Sequence, residues 1–300
     1  MSKRTDIIII GGGPAGLTAA VYALRAGKAV TVLEKGTFGG QITWSPKVEN
    51  FPGVISASGN EIGDMLLTQA MEQGAELELE EVCSLEKTDA GFAVFCESGL
   101  EFESSAVIIA TGAKPRMLGL DKEEDLVGNG VCYCAVCDGA FFANRDVAVN
   151  GGGNSALQDA LLLSEKCRKV YLVHRRDSFR GEQKLVQALE SKTNVEFVLN
   201  SSITELIGDS ELKGIKLDSG REIPVDGLFV AIGHKPDNGI FKNLIALDEN
   251  GYADSKEDCL CFTPGVFVAG DCRHKKVHQL TTACADGAVA ALAAVDYINN

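Results

Sequence analysis

The sequence predicts an α/β protein of two Rossmann-like, three-layer units, one inserted into the other. Three observations predict it. Two glycine-rich turns each follow an apolar run and precede a helical stretch; the strands after them end in opposite charge; and motifs of the first unit lie at both ends of the chain, with those of the second between them.

In the first unit, Asp6-Ile-Ile-Ile-Ile10 suits a buried strand, Gly11-Gly-Gly13-Pro14-Ala15-Gly16 a tight turn, and Leu17 to Ala26 a helix. Glycines there let the backbone approach a pyrophosphate, whose charge meets the free amides and positive dipole end of the helix. Val30 to Leu33 reads as the next strand. It runs into Glu34-Lys35, at the distance where an acidic side chain takes a ribose hydroxyl. This pattern suits a nucleotide with a free ribose, such as the adenosine half of FAD.

In the second unit, Asp146 to Val149 leads into Gly151-Gly-Gly153-Asn154-Ser155-Ala156 and the helical Leu157 to Ser164. Alanine in the last glycine place still permits close packing. The next strand, Lys169 to Val173, ends in His174-Arg175-Arg176, with Arg180 beyond. Arginine offers bidentate donors to a phosphate and has no use for a 2′-hydroxyl, so this unit suits NADPH, which carries a 2′-phosphate. A solvated basic cluster is the competing reading, disfavoured on a chain of net charge −14.

Shortly before the second turn stands Cys134-Ala-Val-Cys137-Asp138. A thiol pair beside two nucleotide sites implies electrons moving from a pyridine nucleotide to a disulfide. The other cysteines read as reduced, small apolar residues. Cys132 makes a third thiol within six residues and raises the idea of zinc, yet no fourth ligand lies nearby and no second Cys-x-x-Cys exists, so no metal is expected.

Three hundred residues allow two domains with real cores, since domains commonly run about 100–150 residues. The acidic balance argues against nucleic acid as a partner. The apolar runs are short and broken, so no segment reads as a good membrane span. Ile7 to Ile10 is too short for a secretory h-region, and a cytosolic location is expected.

Together these motifs resemble the low-molecular-weight thioredoxin reductases, the two-domain pyridine nucleotide-disulfide oxidoreductases that use FAD and NADPH. The resemblance covers nearly the whole chain. Gly39-Gly40-Gln41 and Val48-Glu-Asn50-Phe-Pro-Gly53 look like the family's flavin-contacting loops, and Ile108-Ile-Ala110-Thr111-Gly112-Ala113 like the turn closing the first FAD segment. Gly265 to Gly270-Asp271 and Gln279-Leu280 onward resemble the last FAD segment, with Asp271 placed for the ribityl chain and the helix dipole favouring reduced flavin. Val82 is carried over as a further FAD contact. Where many members have Arg-Gln, this chain has His278-Gln279; the glutamine contact carries over and the arginine's role does not.

The resemblance implies an FAD-binding domain of residues 1–114 and 242–300, and a Cys-x-x-Cys-bearing NADPH-binding domain of residues 115–241. The chain should leave near Lys114-Pro115-Arg116 and return near His234-Lys235-Pro236-Asp237, the two crossings acting as a hinge about which the inserted domain rotates. It further implies a homodimer in which hydride passes from NADPH to FAD, electrons enter the disulfide at Cys137, Cys134 attacks oxidised thioredoxin, and Asp138 carries the proton. An N-cap for the segment near Gly139 is the competing role for Asp138. Another thiol protein as acceptor, ferredoxin as donor, or a nucleotide sensor without turnover are the alternatives; the retained arginines weigh against ferredoxin.

Overall fold

The computed structural model describes residues 3–300, and the chain divides into two compact units. Unit 1 runs to Lys114 and resumes at Lys235; unit 2 is Pro115–His234.

Unit 1 opens with β1 (Lys3–Ile10), α1 (Pro14–Arg25), β2 (Val30–Glu34), a 3-10 turn at Gly40–Trp44, and α2 (Gly59–Glu72), whose start is held by a Ser58/Glu61 capping box. There follow β3 (Glu76–Leu79), the antiparallel pair β4 (Val82–Thr88) and β5 (Gly91–Cys96), then β6 (Glu101–Ile109) and the connector strand β7 (Ala113–Pro115).

Unit 2 contributes β8 (Val131–Cys132), α3 (Ala135–Asp138), β9 (Asp146–Asn150), α4 (Asn154–Ser164), β10 (Lys169–Val173), α5 (Gln183–Glu190) and β11 (Val195–Val198). Its last strands are β12 (Ile203–Ile207), β13 (Gly214–Leu217), β14 (Glu222–Pro224) and β15 (Gly227–Val230). The returning connector is β16 (His234–Pro236), paired with β7; β17 (Val266–Val268) and α6 (Leu280–Asn299) complete unit 1.

In unit 1 the parallel order is β3-β2-β1-β6, with β17 beside the C-terminal half of β6 and β5 antiparallel beside its N-terminal half. Side chains alternate across a strand, and the two faces have separate clusters. Ile7, Ile9, Val30, Val32, Ile108 and Phe267 pack with α1 and α6, whereas Ile8, Ile10, Leu33, Val107, Ile109 and Val266 pack with Leu85, Phe92 and Val94 of the antiparallel pair. Unit 2 repeats the plan. Its parallel sheet, β11-β10-β9-β15-β8, buries Val147, Val149, Val170 and Leu172 against α4 and α5, and Ala148, Val173 and Leu228 against the small sheet β12-β13-β14. Both units are therefore three-layered, helices on one face and antiparallel strands on the other.

The second crossing falls between His234 and Lys235, within the expected return at His234-Lys235-Pro236-Asp237 and seven residues ahead of the 241/242 domain boundary that the resemblance implies. Phe241 closes a 3-10 turn and is buried with Ile245 in the unit 1 cluster containing Phe92. Asn238 donates to Gly251 O at 3.0 Å and Cys272 O at 2.8 Å, so residues 235–241 belong to unit 1.

Among the described helices, α6 alone is long and apolar enough to cross a membrane by length and composition, a property the broken-run reading misses. It lies on α1 in unit 1, burying Ala283, Gly287, Ala290, Ala291 and Ala294.

Candidate active site

β1 delivers Gly11 to the foot of α1, where Pro14 takes the first helical position and lacks only an N–H that would have no partner there. Close approach explains the glycines. At Gly11, φ is +112° and a Cβ would lie 2.3 Å from Ala110 O; at Gly16 it would lie 1.9 Å from Gly11 O. Gly270, from the far end of the chain, would meet the Ala15 Cβ at 2.8 Å. Gly13 differs, because a Cβ there has no neighbour nearer than Gly40 Cα at 3.9 Å. Open space beside the first amides of a helix is the cradle that a pyrophosphate fills.

At the end of β2, Glu34 accepts from Gly12 N at 2.7 Å and Gly36 N at 2.8 Å. These bonds fix its carboxylate beside a cavity of about 310 Å³ lined by Gly11, Leu33, Lys35, Val82, Thr111 and Gly112, among others. Glu80, Glu81, Glu97 and Asp237 also line it, but Glu34 is the acid that backbone amides fix at the end of β2, where a ribose hydroxyl can donate to it. The Lys35 ammonium is already paired with Asp237 at 2.8 Å and Glu81 at 3.3 Å.

The flavin-side residues are gathered from distant parts of unit 1. A Cβ on Gly40 would come within 2.9 Å of Gly13 Cα, Gln41 Nε2 donates to Ala113 O at 3.1 Å, and Asn50 Nδ2 donates to Gln279 Oε1 at 3.2 Å. Gln279 caps α6 reciprocally with Thr282, and Leu280 begins the helix. The His278 ring lies against Tyr252, centroids 5.7 Å apart, and burial holds its pKa below the usual imidazole value.

Asp271 is held by a network that sequence reasoning missed. Asp286 on α6 accepts from Arg273 at 2.7 Å, Lys275 at 2.9 Å and Gly270 N at 3.1 Å, while Lys275 also pairs with Asp271 at 3.2 Å. An acid in the otherwise alanine-rich run Ala283-Cys-Ala-Asp286-Gly-Ala was the available signal. With its side chain only 14% exposed, the carboxylate is met by cationic partners.

Unit 2 builds its turn on the same plan with different supports. A Cβ on Gly151 would lie 2.4 Å from Ala231 O, and one on Gly152 would strike the His174 ring at 2.2 Å. His174 therefore sits beneath the turn, buried and stacked on Phe179, with burial and then the neighbouring arginines holding its pKa down and Nε2 left without a hydrogen bond. Gly153 is open, with nothing within 4 Å of a Cβ. Asn154 braces the loop beyond by accepting from Glu182 N at 2.7 Å, and Ser155 is exposed on the first turn of α4. Arg175, Arg176 and Arg180 are exposed, and among the described residues no carboxylate forms an ion pair with them. Three unpaired guanidinium groups on an acidic chain suit an anionic ligand.

Cys134 and Cys137 are joined as a disulfide around α3. Cys134 precedes the helix, and its sulfur accepts from Cys137 N at 3.2 Å. The half-buried Asp138 has its carboxyl pushed up to about 6 by burial, with a hydrogen bond from Cys132 pulling the other way. Its Oδ1 is buried without a hydrogen-bond partner. Asp138 makes no side-chain cap bond to the following 3-10 turn and its backbone is still helical, which overturns the N-cap reading.

A family model described as pyridine nucleotide-disulphide oxidoreductase matches residues 5–287. A thioredoxin reductase of Listeria monocytogenes is 41% identical over 99% of this chain and 94% of its own. Among solved structures, a thioredoxin reductase from Streptococcus pyogenes superposes with a TM-score of 0.94 at 35% identity, covering 100% of this chain and 99% of the other. One from Giardia duodenalis gives 0.92 at 33% identity over the whole of both chains. With two dinucleotide turns, a formed Cys-x-x-Cys disulfide and this similarity along its length, the chain belongs to the pyridine nucleotide-disulphide oxidoreductases and, among them, to the thioredoxin reductases.

Proposed function

We propose that the enzyme takes electrons from NADPH by way of FAD into the Cys134–Cys137 pair and delivers them to the disulfide of oxidised thioredoxin. One observation carries this: the pair is a formed disulfide, and the next residue is a half-buried carboxylic acid with its pKa near 6. When bound, FAD supplies two-electron exchange between a hydride donor and a disulfide. The open side of Gly13, the fixed Glu34 carboxylate and the 310 Å³ cavity fit its adenosine diphosphate half. Ala110, Thr111, Gly112, Gln41, Asn50, Asp271 and Gln279 would hold the remainder. Gly153, Asn154 and Ser155 would face the NADPH pyrophosphate, Arg175, Arg176 and Arg180 its 2′-phosphate, with His174 supporting the turn from below.

Once reduced, the Cys134 thiolate attacks one sulfur of the partner disulfide and expels the other sulfur as a thiolate, which takes up a proton. The Cys137 thiolate then attacks Cys134 Sγ, frees the second partner thiol and re-forms the disulfide. Two electrons leave the enzyme and the partner gains two protons. The N–H of Cys137 favours thiolate at Cys134, and Asp138, titrating near neutrality, takes and returns the proton. The enzyme is further proposed to be a cytoplasmic homodimer, which sedimentation of the purified protein checks for assembly.

The deciding experiment is anaerobic titration with NADPH or NADH, followed by oxidised thioredoxin. NADPH should bleach the flavin at far lower concentration than NADH, and thioredoxin should restore its colour. A flavin that stays bleached would refute the proposal.

A further inference from the structure

β6 and β17 run parallel, and their ladder ends where Ala269 N donates to Ile109 O at 2.9 Å. Beyond it the strands open into the Ala110-Thr111-Gly112 turn and the 3-10 turn Gly270–Cys272, which carries Asp271. Asn238 joins these turns from a third segment. The residue is 1% exposed and uses every polar atom of its amide: Nδ2 donates to Cys272 O at 2.8 Å and Gly251 O at 3.0 Å, while Oδ1 accepts from Thr111 Oγ1 at 3.3 Å. An asparagine ahead of a helical turn ordinarily caps it. Asn238 precedes the 3-10 turn Gly239–Phe241 and makes no such bond, so its amide is committed to distant partners rather than to its own turn.

That amide is hard to replace. Among short side chains only asparagine offers two N–H donors and an acceptor; aspartate has no N–H, and an aliphatic residue would leave the Cys272 and Gly251 carbonyls without this donor. We propose that Asn238 is a positioning residue for FAD: it fixes the spacing between the Thr111 turn, which lines the 310 Å³ cavity, and the Asp271 turn, so that both stand ordered before the cofactor arrives. All but inaccessible, it acts through those turns and not by contact. Ordering them in advance removes a cost that binding would otherwise bear. The inference rests on the reading of these turns as the FAD site.

The test is the rate at which FAD leaves the full-length holoenzyme well below its melting temperature, followed by exchange against excess isotopically labelled FAD. Wild type is compared with Asn238→Ala, Thr111→Val and the double variant. Loosened turns should speed exit about tenfold in Asn238→Ala, and less in Thr111→Val, which breaks one of the three bonds. Because both substitutions act on one link, the double variant should release FAD no faster than Asn238→Ala. Phe102→Leu, in the core at the opposite end of β6 from Thr111, is the stability control: it should lower the melting temperature and leave exit unchanged. If Asn238→Ala does not fold, Asn238→Ser replaces it, since one hydroxyl can donate to only one of the two carbonyls. An exit rate no faster than that of wild type or of Phe102→Leu overturns the proposal, as do additive effects of the two substitutions. A wild-type chain that takes up no FAD at all would instead remove the reading of the site, and the inference with it.

Discussion

At the scale of single residues, Asp138 gives the most direct stability test. Its folded-state pKa, about 6, lies above the ordinary aspartate value of 3.8, so the folded protein holds this proton more tightly than the unfolded chain. The resulting stabilisation is full below 3.8 and disappears as pH rises through 6, beyond which the buried charge costs up to about 3 kcal/mol. Asparagine carries no such charge. Asp138→Asn should therefore melt higher than wild type at pH 8 by a margin that shrinks towards pH 5, while losing thioredoxin reduction. A lower melting temperature at both pH values would restore a capping role. The thiol pair, Glu34 and the arginines were legible in sequence because each is a short local pattern with one chemical use. The bond from the Tyr133 hydroxyl to Glu123 and the pairing of Asp286 with Arg273 and Lys275 were not, because side-chain direction and long-range packing bring them together.

At the scale of elements, the two strand–turn–helix segments share a plan in which the first two glycines are packed by protein and the third faces open space. Gly153→Ala isolates the ligand's share. Its φ of −98° suits any residue, its Cβ would touch nothing, and alanine in place of glycine at the N-cap of α4 costs roughly 0.5–1 kcal/mol, small for a chain of this size. The variant should melt close to wild type and keep its flavin, yet its KM for NADPH should rise about tenfold, the effect of roughly 1.4 kcal/mol of lost contact. An unchanged KM would mean that the pyrophosphate does not sit there. These segments were readable because period and punctuation agree, and the proline-marked return at His234-Lys235-Pro236 was too; the 241/242 domain boundary fell late because the apolar character of Phe241 does not reveal which core receives it.

At the scale of the whole molecule, each unit owns its apolar clusters, and the inserted one is bounded by paired connector strands. Deleting Pro115–His234 and joining Lys114 to Lys235 through a short glycine-serine linker should leave a yellow, folded protein. Its absorbance should show bound flavin that NADPH no longer bleaches. Failure to retain FAD would mean that unit 1 depends on the insertion for its fold.

Pairing of β7 with β16 also bears on the order of folding. If unit 2 were still a flexible coil, bringing β7 and β16 together would close a loop of 120 residues, at an entropic cost of about 4 kcal/mol. A folded insertion already holds its ends side by side, so the strands of unit 1 meet as though the intervening sequence were short. Unit 2 is thus expected to mature first, and refolding followed simultaneously by NADPH binding and flavin capture should show the first signal leading the second.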